Sequence, residues 1–258
     1  MAIINNKSPE KDRRKFIKTA GFITGGIVLT SALKPFKIMV FAAKEPEGEG
    51  PWYGIGIDIE KCIGCGNCAS SCKQENDVPE EPFYFRSWVE KYTIMENEEV
   101  IVQAPNGGID GFDQDVENED IMKSFFVPKM CNHCHKSPCV QVCPVGATFD
   151  SPDGVVLVDQ EYCIGCRYCI QACPYGCRYI HPEKKVVDKC TLCYHRIVKG
   201  LPPACMDVCP TGARIFGDLR DKKGDLHKFI KKHNCHVLKS HLNTGSKLYY
   251  NGLNQEVR

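Results

Sequence analysis

Several absences narrow this 258-residue chain before any motif does. It has no apolar stretch long enough to cross a bilayer as a helix. The apolar run over residues 20–33 is 14 residues, about 21 Å of helix against a hydrocarbon core of about 30 Å. Gly21, Gly25, Gly26, Thr24 and Thr30 weaken it further. A multi-span membrane protein is thereby excluded. Net charge is nearly absent too, at +1. Residues 1–43 carry eight Lys and Arg against Glu10 and Asp12, a net +6, which leaves −5 for the remainder. A mildly acidic body lacks the basic patch that nucleic acid requires. No Ser/His/Asp set, paired-carboxylate arrangement or phosphate-binding loop appears, so the chain offers no catalytic constellation of its own. What is abundant is cysteine, at 18 residues. That is too much thiol for a cytosolic core, in a chain far longer than a disulfide-stapled miniature.

The first 43 residues read as an address. A charged stretch precedes the apolar run, and Lys34-Pro35 and a small-residue site at Phe41-Ala42-Ala43 follow it, the layout of an export signal. Asp12-Arg13-Arg14-Lys15-Phe16-Ile17-Lys18 resembles the twin-arginine motif, with Asp12 before the pair and Ile17 where Leu is common. That pathway implies transport of a protein already folded around its cofactor. A basic N-terminal membrane anchor is the other reading, and either places the body outside the cytoplasm.

Sixteen cysteines fall into four sets: Cys62-x2-Cys65-x2-Cys68-x3-Cys72; Cys131-x2-Cys134-x4-Cys139-x3-Cys143-Pro144; Cys163-x2-Cys166-x2-Cys169-x3-Cys173-Pro174; and Cys190-x2-Cys193-x11-Cys205-x3-Cys209-Pro210. Cys177 and Cys235 are left over. A tight C-x2-C-x2-C loop wraps three irons of one [4Fe–4S] cube, and the fourth Cys points away, so in two-cluster ferredoxins it ligates the other cluster. Gly64 and Gly165 fall where the loop must bend tightly and bring N–H groups toward sulfur. Proline after the fourth Cys fixes the exit turn; the first set has Lys73 there instead.

The chain also repeats itself. Residues 57–65 echo residues 158–166, and residues 138–147 echo residues 204–213. Short β-branched runs at 54–59 and 155–158 predict strands, and 167–172 predicts a helical turn. The expected fold is α+β: two ferredoxin-like units, each holding two [4Fe–4S] clusters, from an internal duplication.

Three other uses of these thiols compete. The pairs at 131/134 and 190/193 resemble zinc knuckles, but a third Cys two residues after a pair has no use in a tetrahedral site. Four cysteines within eleven residues suit disulfide geometry badly. Cys131-Asn132-His133-Cys134-His135 fits the c-type haem pattern, yet haem would consume two thiols that complete the second set. His133 and His135 read better as part of the cluster surroundings.

With these sets in place, residues 52–217 resemble the four-cluster iron–sulfur (beta) subunits of molybdopterin oxidoreductase complexes. Those include the tetrathionate, polysulfide and thiosulfate reductase types and the exported iron–sulfur subunit of the sulfate-reducer transmembrane complex. The resemblance implies four [4Fe–4S] clusters and a nested ligand exchange. One cluster takes Cys62, Cys65, Cys68 and Cys209, and its neighbour takes Cys72, Cys190, Cys193 and Cys205. A third takes Cys131, Cys134, Cys139 and Cys173, and the fourth takes Cys143, Cys163, Cys166 and Cys169. Spacing alone leaves first-with-second and third-with-fourth pairing open. The implied function is electron transfer between an integral membrane quinone-interacting subunit and a molybdopterin catalytic subunit. The alternative partner is a multihaem cytochrome in a pterin-free complex of sulfur metabolism. The implied location is periplasmic, peripheral to the cytoplasmic membrane.

The rest of the chain reads less sharply. Residues 73–130 form an insertion relative to a simple ferredoxin. It carries Phe83, Tyr84, Phe85, Trp88 and Tyr92 and a hairpin expected from 91–95 and 100–103 around Glu96-Asn97. This segment either docks a catalytic subunit or caps a small core. Residues 105–120 hold six acids and no Lys or Arg. Asp113-Gln114-Asp115-Val116-Glu117 lacks the Gly and Glu of a calcium loop, so a solvated loop is expected. Residues 218–258, with His227, His233, His236, His241 and Cys235, are expected as a solvated basic helix and a docking tail. Cys177 is expected as a small buried residue beside a cluster.

Overall fold

The computed structural model describes residues 50–257 apart from Pro82 and residues 113–119. The twin-arginine motif and the stretch 113–117 lie outside the described residues. In chain order the first elements are β1 (Tyr53–Asp58), α1 (Asn67–Glu75), β2 (Ser87–Met95), β3 (Val100–Gln103) and β4 (Ile121–Met130). Then come α2 (Pro138–Gln141), β5 (Thr148–Asp150), β6 (Val156–Val158), α3 (Tyr168–Gln171), β7 (Arg178–Ile180) and β8 (Val187–Lys189). The last are α4 (Tyr194–Ile197), α5 (Ala204–Asp207), β9 (Arg214–Asp218), α6 (Asp225–Lys232) and β10 (Leu248–Asn251). Helices are short, four of them a single turn, and sheets are small.

β1 is the middle strand of a three-stranded sheet, antiparallel to β9 and parallel to β10. Its sequence alternates Gly54, Ile55, Gly56 and Ile57, and successive side chains point to opposite faces. The isoleucines are buried in the main core. The glycine face accepts α6, whose Leu226 and Phe229 are buried on it. A Cβ on Gly56 would stand 2.7 Å from the Phe229 ring, closer than side chains pack. Gly56→Val is therefore expected to cost about 1–3 kcal/mol by overpacking, read as a lowered denaturant midpoint.

A second sheet has the order β3-β2-β4. β2 and β3 pair antiparallel, from Lys91 opposite Gln103 to Ile94 opposite Val100, and the turn between them passes Glu98 at φ 66. Tyr92 is buried and stacks on Phe125 at 5.6 Å, while Trp88, Tyr84 and Phe85 are half-buried and Phe83 is exposed. Most of the aromatic cluster thus faces the protein, and Phe83 faces solvent.

β5, β7 and β9 each begin after the same turn, Cys-Pro-x-Gly-x. Its glycines Gly146, Gly176 and Gly212 have φ 67, 66 and 63, a region where a side chain is strained. β5 then pairs with β6, and β7 with β8. The first set departs from this turn for a visible reason. Cys72 lies inside the nine-residue α1, where a following proline would break the helix at about 3 kcal/mol. Lys73 instead donates to the carbonyls of Pro79, Glu80 and Glu81 and lies over the Phe85 ring.

The C-terminal segment packs into the fold. α6 is amphipathic and half buried rather than solvated, and β10 completes the first sheet. Leu248 and Tyr250 are fully buried, and the Tyr250 hydroxyl donates to the Pro128 carbonyl at 3.0 Å. The cause is hydrophobic burial concentrated in five residues, Leu226, Phe229, Leu238, Leu248 and Tyr250, too few to stand out in a Lys- and His-rich segment.

Candidate metal centres

The same backbone turn recurs at all four C-x2-C pairs. The residue before the second Cys is left-handed in each: Gly64 at φ 71, His133 at 42, Gly165 at 67 and Leu192 at 57. In this turn backbone N–H groups point at the first sulfur. His133 N–H lies 3.5 Å from Cys131 Sγ, Leu192 N–H lies 3.3 Å from Cys190 Sγ, and Gly64 N–H serves Cys62. Cys163 takes its N–H from Val187 across β8, at 3.4 Å. Glycine supplies the turn in two loops, while buried His133 and Leu192 are held in it by packing.

The turns carry the thiols to four places. Cys62, Cys65, Cys68 and Cys209 line one cavity, together with Arg214. Its fourth thiol comes from the far end of the sequence, and Cys72 is not among its lining residues. Cys131, Cys134, Cys139 and Cys173 line a second cavity, with Arg178 and Ser137. Cys72 faces Cys205, Cys190 and Cys193, and Asn76 Nδ2 lies 3.6 Å from Cys72 Sγ and 3.5 Å from Cys193 Sγ. Around the remaining set, Cys163 and Cys169 share a small apolar cluster with Val156 and Val187. There α2, which precedes Cys143, packs on α3. Cys143 accepts an N–H from Thr148 at 3.5 Å. Cys65 and Cys166 are exposed, so two of the four places reach the surface.

These donors suit a multi-iron core. None of the cysteines is in a disulfide. Among the described residues no three His, Cys, Asp or Glu side chains converge where a single ion would sit. The thiols instead ring cavities, an arrangement that gives each iron of a cubane its own thiolate and does not suit tetrahedral zinc. Burial pushes Cys62 and Cys139 up to about 11 and Cys134 to about 12, and neighbouring thiols add to it. Burial likewise drives Cys72 and Cys190 upward. Such thiols lose their protons when metal supplies the positive charge they lack. Cys173 goes the other way, held down to about 5 by the Cys177 thiol beside it. Cys177 is itself buried, with its sulfur 3.1 Å from the Met130 carbonyl.

The haem-like stretch is used differently. Cys131 and Cys134 both line the second cavity, and the His135 ring packs edge-on against Trp52 at 5.4 Å. His133 is fully buried, and its Nδ1 accepts the Val156 N–H at 3.1 Å. Burial, with Lys189, Lys247 and Arg178 nearby, holds its pKa well below the usual histidine value. The ring is thus neutral, with its proton assigned to Nε2 by this bond.

Cations around the sulfurs escape cysteine spacing. Arg178 Nη2 donates to Cys139 Sγ at 2.9 Å, and Arg214 faces Cys68, Cys205 and Cys62. Lys189 is fully buried, donates to the carbonyls of Val156 and Cys190, and has Cys131 and Cys139 nearby. The signal for both arginines was present, since each stands five residues after a Cys-Pro cysteine. Arg86 serves another purpose: it pairs with Asp188 at 2.8 Å and donates to Asn76 Oδ1, bracing the amide that contacts Cys72 and Cys193. Glu75 of α1 binds His195 and Arg196 of α4, and Arg196 reaches Asp207 of α5, tying together the helices beside these cysteines.

Comparison with known proteins points to the same kind of cofactor. Two family models, each described as a 4Fe-4S dicluster domain, match the chain over residues 61–147 and 122–219. Two dicluster domains give four [4Fe–4S] clusters. A tetrathionate reductase subunit of Salmonella typhimurium is 36% identical over 95% of this chain and 89% of its own length. Its namesake from Archaeoglobus fulgidus is 38% identical over 87% and 97%. A polysulfide reductase chain of Wolinella succinogenes is 35% identical over 76% and 92%.

Proposed function

This chain belongs to the family of four-cluster iron–sulfur subunits of reductase complexes, and we propose that it relays electrons between a quinone-interacting membrane subunit and a molybdopterin catalytic subunit. The observation that carries the reading is the first cavity, where Cys209 meets Cys62, Cys65 and Cys68. The clusters, when bound, supply one-electron carriage. The proposed ligand sets are the nested ones: Cys62, Cys65, Cys68 and Cys209; Cys72, Cys190, Cys193 and Cys205; Cys131, Cys134, Cys139 and Cys173; and Cys143, Cys163, Cys166 and Cys169. The chain's own contribution is to hold these thiols unpaired, aim N–H groups at their sulfurs, and keep water from most of them. Exposed Cys65 and Cys166 mark where electrons enter and leave.

The repeated loops and Cys-Pro turns support an origin by internal duplication, with residues 73–130 inserted. The Arg13-Arg14 motif supports export by the twin-arginine route and a periplasmic location. No helix among the described residues is long and apolar enough to cross a membrane. Co-purification in mild detergent tests the assignment. A pterin-containing chain and an integral membrane subunit are expected to accompany the protein. Recovery of cytochromes and a membrane subunit without pterin would overturn the catalytic partner.

A further inference from the structure

We infer that Arg178 and Arg214 set the reduction potentials of the centres they face, holding each above the value its thiolates alone would give. The inference rests on the ligand sets proposed above. Both arginines occupy one position of a repeat: Cys173-Pro174-Tyr175-Gly176-Cys177-Arg178 and Cys209-Pro210-Thr211-Gly212-Ala213-Arg214. The third copy, Cys143-Pro144-Val145-Gly146-Ala147, continues with Thr148. Because the glycine turn is the same in all three, β5, β7 and β9 start alike and bury their first residue. Thr148 is 3% exposed, Arg178 6% and Arg214 5%.

The surroundings of these two guanidinium groups set them apart. Arg178 gives Nη2 to Cys139 Sγ at 2.9 Å and Nη1 to Thr148 Oγ1 at 3.2 Å. Arg214 lines the first cavity, places Nη1 3.3 Å from Met130 Sδ, and has a buried Nη2 with no hydrogen-bond partner. Among the described residues neither has a carboxylate within ion-pair distance, whereas buried Arg86 is neutralised by Asp188. A buried cation without a counter-ion is strongly unfavourable. Here the balancing charge is the thiolates and the anionic core they hold. Reduction adds one more negative charge beside a fixed positive one in a medium of low dielectric, which favours the reduced state. Net charge and hydrogen bonds to sulfur are the terms that tune such potentials. The repeat thereby distinguishes its copies: two end in a charge and one in a hydroxyl.

Redox titration of the anaerobic full-length protein, followed by electron paramagnetic resonance, tests this. Arg178→Gln is expected to cut the reduced-to-oxidised ratio of one centre at least tenfold at fixed potential. For a one-electron couple that is a downward shift of about 59 mV, and Arg178→Lys should recover most of it. Arg214→Gln should move a different step. Thr148→Asp is close in volume and sets a carboxylate against Arg178 Nη1. It should lower the same midpoint as Arg178→Gln with the arginine still present, and it decides the matter if the glutamine variant loses a cluster. Full iron and sulfide with all midpoints unmoved overturns the inference, as does a fall in Arg178→Lys equal to that in Arg178→Gln. Low iron in the unsubstituted protein would overturn the ligand assignment instead.

Discussion

Replacing Cys209 with alanine is expected to remove about four of the roughly sixteen irons that four cubanes hold, and the loss should fall on the centre built by Cys62, Cys65 and Cys68. The double variant Cys65→Ala/Cys209→Ala is the sharper measurement. If both thiols serve one centre, as their shared cavity argues, the double variant loses no more iron and sulfide than either single one. If each cysteine set held its own cluster, the two changes would strike different centres and the loss would double to about eight irons. A parallel pair, Cys134→Ala with Cys173→Ala, asks the same of the second cavity. Additive losses in both pairs would refute the nested exchange.

Ending the chain after Asn243 is expected to abolish the folded protein. The cut removes Lys247, which donates to the Gly154 carbonyl and lies over the Trp52 ring at 4.1 Å, and all of β10. Leu248 and Tyr250 are fully buried, and each loss of a large core side chain costs about 2–5 kcal/mol. Together they approach the 5–15 kcal/mol or so that holds a whole domain. β1 would also lose its parallel neighbour and expose a strand edge. Circular dichroism and soluble yield, compared with a chain ending after Leu253, check the outcome. A segment that only docked a partner would leave the shortened protein folded and cluster-loaded, with partner recovery alone reduced.

Legibility in the sequence followed chemical demand. Cysteine spacing is dictated by the metal core, so all four sets stand out in the bare order of residues. The strand at residues 54–59 and the pairing of 91–95 with 100–103 were also visible, because alternation and a polar turn leave local traces. β10 was not, since a short parallel strand owes its place to β1, almost two hundred residues away in sequence. Arg178 and Arg214 were overlooked for a different reason, although each stands five residues after a Cys-Pro cysteine. A buried arginine is ordinarily unfavourable, and only the sulfurs brought around it by the fold give it a use. His133 and Leu192 defied expectation at the level of the backbone, taking the left-handed turn that glycine takes in the sibling loops. Neither residue type advertises that turn, and packing imposes it.

The meeting of Cys209 with Cys62 fixes an order of assembly. At about 5–20 residues per second, a ribosome needs roughly 7–30 s between making these two cysteines, but only about 2–8 s between Cys131 and Cys173. On the proposed ligand sets, the inner ones are complete while the outer ones still lack their last members, and β10 is made later still. The proposed sites are therefore completed from the middle of the chain outward. The earliest thiols to emerge, those at 62, 65 and 68, wait longest for the residue that closes their site. During that interval they are the part of the chain most open to oxidation or to the wrong metal.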